Sequence, residues 1–352
     1  MVIGIANNLF PPYGRGSGAE VIAAKQAAEL RAAGHDVFIV SLSPQGISVP
    51  DSPNHFFLPS SYSGLGKKKP YSRLAWHLRE LLCFPQKRAL ARILEERRPE
   101  LFITHNLVGI GFGLPALLAE KGIRHEHVLH DIQLLHPSGL MYWGQEGIID
   151  SLPARLYQTI TRHAFRRCRT VISPSKWLLS VHESKGFFSQ AEKIHRPNFS
   201  LARREPKPAN KPFHFVFSGQ LEKHKGLELL LSAWQRADLL PEEARLTIAG
   251  GGRLEDIAKE AAANLANVEY AGLLDRNGID ALLDSADAVV VPSLVYENSP
   301  TSLWEAAEHG CRGLASDIGG IPELSSHLEL KLFPPGNADA LIAALKSYTH
   351  DN

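Results

Sequence analysis

Glu297 and Glu305 are separated by seven intervening residues in the stretch Pro292-Ser-Leu-Val-Tyr-Glu297-Asn-Ser-Pro-Thr-Ser-Leu-Trp-Glu305-Ala, and this pair has the clearest chemical use in the chain. A carboxylate accepts hydrogen bonds on two oxygens side by side and so suits a sugar or ribose diol. Pro292 is expected to end a buried strand, and Asn298 to Ser302 to make a strand-to-helix turn with Pro300 near the first helical turn. The backbone N–H groups of Thr301, Ser302 and Leu303 would then point at an anion. Glu297 falls on the loop and Glu305 about one turn into the helix. The flanks of Glu305 are Leu303, Trp304, Ala306 and Ala307, a poor setting for an idle charge. One glutamate could hold a donor sugar and the other a ribose.

A second group is Gly219-Gln-Leu-Glu-Lys-His-Lys225-Gly226. Lys225 precedes a helical pattern, where an ammonium and a helix N-terminus together neutralise a phosphate. The same residues also read as a solvated charged loop. A third is Gly14-Arg-Gly-Ser-Gly-Ala-Glu20, a glycine-rich turn between a strand and a helix, which lets backbone N–H groups approach a phosphate or sugar closely. Ser17 and Glu20 also fit a capping box, and both readings can hold. A nicotinamide site would want an acid at the end of the second strand, but that strand ends in Ser41, Leu42 and Ser43.

The elements that position these residues alternate in type. Strand candidates are Val2–Asn7, Asp36–Leu42, Leu101–His105, His127–His130 and Thr170–Ser173. Further on come Phe213–Ser218, Arg245–Ala249, Val268–Ala271, Ala288–Pro292 and Gly313–Ser316. Several are almost wholly apolar, as expected of parallel strands buried on both faces. Amphipathic segments such as Ala19–Ala33 and Gly226–Arg236 lie between them, which implies right-handed βαβ units. The Pro- and charge-rich run Ser200–Pro212 reads as a linker. The fold class expected is α/β, with two doubly wound Rossmann-like domains, 1–198 and 199–352, and a cleft between them. Ligands on such sheets bind at the carboxyl ends of strands.

Bulk properties agree with that size. The 352 residues, 44% hydrophobic and 21% charged, allow two cores. The net charge of +1 conceals a division. Residues 1–198 carry 24 Lys and Arg against 15 Asp and Glu, and the rest carry 14 against 22. The first part therefore favours an anionic partner or surface. Cys83, Cys168 and Cys311 form no metal-spaced or paired set. With neither a leader-like start nor an apolar run of about 20 residues, a cytoplasmic protein is expected.

On these motifs, the His130-Asp131 and Pro197-Asn198 pairs and Gly250-Gly251-Gly252, taken in their order, the sequence resembles glycosyltransferase family 4 (GT4), retaining enzymes of the GT-B fold. The resemblance spans nearly the whole chain. It implies transfer of a sugar from a nucleotide-diphosphate donor, with the first domain binding the acceptor and the second the donor. It places His130 beside the reacting sugar and Glu297 on the transferred sugar, these two being the catalytic candidates. Gly219, Gln220 and Lys225 would meet the diphosphate, with Gly18 approaching from the other domain. Asn298 and the Thr301, Ser302 and Leu303 amides would line the same donor site. Glu305 would take the ribose and Leu273 border the base. Family members need no metal or other cofactor, and here no Asp-x-Asp is present to hold one. Two departures stand out. Gln220 occupies a position where the family usually has arginine, and the chain ends soon after the helical segment Ala338–Ser347, so looser domain closure is expected.

Lys67, Lys68, Lys69, Arg73 and further cations to Arg98 interleave with Tyr62, Tyr71, Trp76 and Phe84, and a second basic run spans Arg162 to Arg169. Cations with aromatic anchors suit an anionic membrane surface. The expected partners are a nucleotide-sugar donor, a sugar or lipid-linked cell-envelope acceptor and the inner membrane face, not nucleic acid. Solvated helix faces explain the same cations. Two rival functions remain, a GT-B epimerase or phosphorylase and a sugar-nucleotide binder without activity.

Overall fold

A computed structural model of the chain describes residues 1–13, 18–43, 54–59, 69–199 and 205–350. They divide into two compact units, Met1–Gly139 with Gly147–Asn198, and Leu140–Glu146 with Phe199–Asn352.

In the first unit the strands are β1 (Val2–Ala6), β2 (Asp36–Leu42), β3 (His55–Leu58), β4 (Leu101–Thr104), β5 (Arg124–Val128), β6 (Thr170–Ser173) and β7 (Glu192–His195). They form one parallel sheet in the order β3-β2-β1-β4-β5-β6-β7. Its helices are α1 (Gly18–Ala32), α2 (Pro70–Leu82), α3 (Lys87–Arg97), α4 (Leu114–Glu120), α5 (Leu152–Phe165) and α6 (Lys176–Ser184). Ile3, Ile5, Val37, Ile39 and Ile103 meet Ala23 and Ala27 of α1 in a continuous core. β-Branched side chains fit the pleated surface, and the small alanines let the helix lie close.

The second unit repeats the plan with β8 (Phe213–Ser218), β9 (Ala244–Ala249), β10 (Val268–Gly272), β11 (Ala288–Val291), β12 (Arg312–Ser316) and β13 (Leu330–Phe333). The order is β10-β9-β8-β11-β12-β13, again parallel. Helices α7 (Leu227–Ala237), α8 (Glu255–Asn264), α9 (Arg276–Ser285), α10 (Thr301–Glu308) and α11 (Ala338–His350) cover it. Phe213, Phe215, Trp234 and Tyr348 form an aromatic knot in the core, with the Tyr348 hydroxyl donating to Gly313 O at 3.0 Å. Truncating a buried Trp of this kind costs about 3–5 kcal/mol.

Two sequence expectations need correction. The strand expected over His127–His130 runs instead over Arg124–Val128. Its RHEH start looks like a loop. However, His125 and His127 are buried and share the Thr104 hydroxyl of β4, each at 2.8 Å, while Arg124 pairs with Glu126. Residues 140–146 also belong to the second unit, not to the domain expected over 1–198. The cause is backbone pairing, with Tyr142 bridging Val295 in antiparallel fashion, Trp143 N–H donating to Leu294 O and Tyr296 N–H to Met141 O.

Candidate functional site

In the second unit β8 and β11 are hydrogen-bonded neighbours, yet the strand order reverses direction between them. Loops leaving such a switch point diverge and leave room for a ligand at the carboxyl ends. The loop after β8 carries Gly219, Gln220 and Lys225; the loop after β11 carries Glu297 and Asn298. Their backbones join where Leu294 N–H donates to His224 O at 2.9 Å.

Lys225 ends a single tight turn that Gly226 closes with φ 77° before α7 begins. A Cβ on Gly226 would lie 1.9 Å from the Pro292 carbonyl oxygen, so no other residue lets this turn sit so near the end of β11. That closeness brings Lys225 Nζ to 2.7 Å from Glu297 Oε1. The Ser293 hydroxyl donates to the same oxygen at 2.8 Å. Gly319 supports the acid from behind, with φ 64° and a would-be Cβ 2.2 Å from the Glu297 carbonyl, while Gly320 N–H donates to that carbonyl at 2.8 Å. Desolvation pushes the Glu297 carboxyl up, but Lys225 and then Ser293 outweigh it and hold it below the ordinary carboxylate value. It is therefore an ionised, oriented acceptor. Lys225 has three N–H donors, and Glu297 engages one of them.

α10 follows this loop. Pro300 occupies its N-cap position, and no side chain caps the helix there. Leu303 N–H turns back to Pro300 O at 3.2 Å, and its side chain is buried, so Thr301 and Ser302 are the amides best placed toward an anion. The Trp304 indole N–H donates to Ser299 Oγ at 2.7 Å and fixes the turn. Asn298 is buried. Glu305 is not idle, since Arg276 at the start of α9 reaches its Oε1 at 3.2 Å and also contacts Glu308 and Asp280. Desolvation raises the Glu305 carboxyl above its ordinary value against the pull of Arg276. Gln220 is exposed, and among the described residues Leu273 is the most exposed of the large hydrophobic side chains, at 83%.

The remaining candidates lie in the first unit. His130 follows β5 and is half-buried, and its Nε2 is 2.8 Å from Nδ1 of His105, the residue after β4. The two rings stack at 5.0 Å. Burial lowers His130 to about 4, and burial with the neighbouring His130 lowers His105 well below its usual value. Both are neutral imidazoles at neutral pH, able to donate or accept but not to carry charge. Gly18 is exposed at the start of α1; Gly14 to Ser17 lie outside the described residues. Lys67 and Lys68 also lie outside them, as does the Arg73 side chain. Lys69 is exposed at the N-cap of α2, whereas Trp76 is half-buried and packs edge-on to His77. Arg97 is committed to Asp36 at 2.9 Å and lies over Phe38.

Ser293, Arg276 and His105 were absent from the sequence-based candidates. Ser293 and His105 each follow a strand by one or two residues, a signal that was available. Arg276 is 29 residues from Glu305 and only the packing of α9 against α10 pairs them. Among the described residues no group of three or more His, Cys, Asp or Glu is arranged to hold a metal.

Comparisons with known proteins follow the same division. The family model described as Glycosyltransferase Family 4 matches residues 16–196, and that described as Glycosyl transferases group 1 matches residues 198–352. An uncharacterized 42.6 kDa protein in the cps region of Klebsiella pneumoniae is 27% identical over 335 residues, covering 92% of this chain and 87% of that protein. The D-rhamnosyltransferase WbpZ of Pseudomonas aeruginosa is 35% identical over 156 residues, 40% of each chain. The structure of HepE from Anabaena in complex with UDP and glucose aligns with a TM-score of 0.70 over 100% of this chain and 90% of its own, at 17% identity, a likeness of fold.

Proposed function

Because the chain belongs to glycosyltransferase family 4, we propose that this glycosyltransferase takes its sugar from a nucleoside-diphosphate donor and passes it to a hydroxyl of a cell-envelope acceptor, lipid-linked or polysaccharide, with retention of configuration. One observation carries the donor reading, the Lys225–Glu297–Ser293 cluster at the switch point between β8 and β11. An ammonium with donors to spare beside an ionised acceptor suits a diphosphate next to a sugar hydroxyl. The uncapped start of α10 adds N–H donors and positive helix dipole for the same phosphates.

In this reading Lys225 and the Thr301 and Ser302 amides bear the diphosphate charge without a metal. Glu297 accepts from hydroxyls of the transferred sugar, and Glu305 from the ribose. Neutral His130 supplies a hydrogen bond near the anomeric carbon, and the leaving phosphate helps take the acceptor proton. A saccharide acceptor is in keeping with two relatives, one from a cps region and one a D-rhamnosyltransferase. Contact with an anionic membrane face fits the +9 balance of residues 1–198.

A melting-temperature panel tests the donor class. UDP-, GDP-, ADP- and dTDP-sugars are each added in turn, with and without EDTA. One nucleotide series should raise the melting point, because a ligand that binds only the folded state stabilises it, and EDTA should not remove the gain. No stabilisation by any of them would end this reading.

A further inference from the structure

The segment Leu140–Glu146 lies along residues 294–296, one position from Glu297. Three backbone contacts hold it, the Tyr142–Val295 bridge, Trp143 N–H to Leu294 O at 3.0 Å, and Tyr296 N–H to Met141 O at 2.9 Å. Met141 and Val295 are buried, so the ribbon is anchored. Trp143 nevertheless presents half of its surface to solvent, 50%, with its ring 6.3 Å from that of Tyr296 and inclined at 36°. The Tyr296 hydroxyl donates to Glu146 Oε1 at 2.8 Å, as does Gly144 N–H at 2.8 Å. The tyrosine is thus locked in orientation. Hydrogen bonds from its own backbone N–H, Gly144 and Tyr296 keep the Glu146 carboxyl below its ordinary value. A carboxylate has about four acceptor positions, so three donors leave one for a hydroxyl.

Resting on the reading that Glu297 holds the transferred sugar, we propose that Trp143, Tyr296 and Glu146 form a second carbohydrate subsite, which seats a pyranose ring of the acceptor. An aromatic ring has a negative face, and one face of a pyranose offers a patch of polarised C–H groups to it. The ring's equatorial hydroxyls then project sideways, where a carboxylate can accept. Transfer requires the acceptor hydroxyl within about 3–3.5 Å of the anomeric carbon. A sugar platform on the residue next to Glu297 is therefore where the acceptor ring belongs. Tyr296 lies beside the indole, and half of the Trp143 surface remains open to solvent. That open half is the surface a sugar ring would cover.

The test uses the full chain, labelled for NMR, with the Trp143 indole N–H assigned by comparison with Trp143→Phe. Methyl glycosides of gluco-, manno-, galacto- and rhamnopyranose are titrated with and without each of UDP, GDP and ADP. At least one glycoside should shift the Trp143 indole saturably. Trp143→Ala should weaken that binding about three- to tenfold, as loss of a stacking contact predicts, and leave nucleotide affinity unchanged. Glu146→Gln, which keeps the fold and the ring, should weaken it also. An indole that no glycoside moves, in protein that still binds a nucleotide, overturns the subsite. So does an indole that responds only to phosphatidylglycerol vesicles, which would make it a membrane contact. Glycoside binding at Trp143 in protein that binds no nucleotide would sustain the subsite and remove the donor reading.

Discussion

Lys225 and Glu297 define the chemistry of the second unit because each makes the other tolerable there. The glutamate side chain keeps 13% of its surface and the lysine 29%. Removing the lysine strands a carboxylate, and Lys225→Met should cost about 2 kcal/mol, less than the roughly 3–5 kcal/mol of a fully buried pair because the lysine is partly exposed. The sign of its pH dependence follows from the shift. In the native protein the Glu297 carboxyl lies below its unfolded value, so its contribution is present above that unfolded value and is lost as pH falls through the lower, folded one. Without Lys225, desolvation dominates and the carboxyl rises, so the variant loses stability as pH rises. Urea unfolding at about pH 5 and about pH 7.5 should show the larger deficit at the higher pH. Glu297→Gln keeps the shape but not the charge and should lower turnover about a hundredfold with nucleotide affinity nearly intact. Equal loss of both would mean the glutamate serves the nucleotide instead. Gln220 offers the opposite experiment. Gln220→Arg should tighten nucleotide binding about tenfold by adding a bidentate cation, and a calorimetric titration without gain would show that this loop does not reach the diphosphate.

At the scale of elements, what brings distant residues together is the order of strands and the closeness of their connecting turns. Gly226→Ala forces a Cβ into the Pro292 carbonyl and a left-handed backbone on alanine. It should destabilise the second unit by about 3 kcal/mol or more and weaken nucleotide binding. Denaturant midpoints with and without nucleotide measure both effects. The strands that could be read from sequence are those whose residues are almost all apolar, such as Ala288–Val291. Strands β3, β7 and β13 were not, because histidine, lysine or glutamate interrupts HFFL, EKIH and LKLF, and four residues leave no apolar run to outweigh them. β5 was misplaced because buried histidines that share one threonine hydroxyl look polar on the page. The Lys225 and Glu297 loops were legible because glycine, proline and charge cluster at strand ends. Their ion pair was not, since 72 residues separate the partners and only the adjacency of β8 and β11 closes the gap.

For the whole molecule, charge is divided along the chain. An excess of 9 positive charges over residues 1–198 should show as adsorption to phosphatidylglycerol vesicles at low salt and release at high salt, because screening acts on exposed cations. Flotation with neutral phosphatidylcholine supplies the comparison, and equal recovery in both would assign these cations to solvent. Among the described residues no helix is long and apolar enough to cross a membrane. The segment read as a linker is anchored at Lys207 and Asn210. Lys207 Nζ donates to Leu283 O and Asp284 O, and Asn210 to Asp287. Proline and charge hid those anchors, since their partners lie more than seventy positions away.

The seven residues from Leu140 to Glu146 make the second unit discontinuous in the gene. Cutting the coding sequence at codon 199 would therefore sever more than a connection. It would deprive the 294–296 loop of its backbone partner. A fragment of residues 199–352 should then hold nucleotide poorly, and a synthetic peptide of residues 140–146, tethered to it or fused by circular permutation, should restore part of the affinity. Recombination between homologous genes meets the same constraint. Exchanging the halves at the obvious border would pair one parent's loop with the other parent's ribbon, and chimaeras should work best when that heptad travels with the C-terminal half.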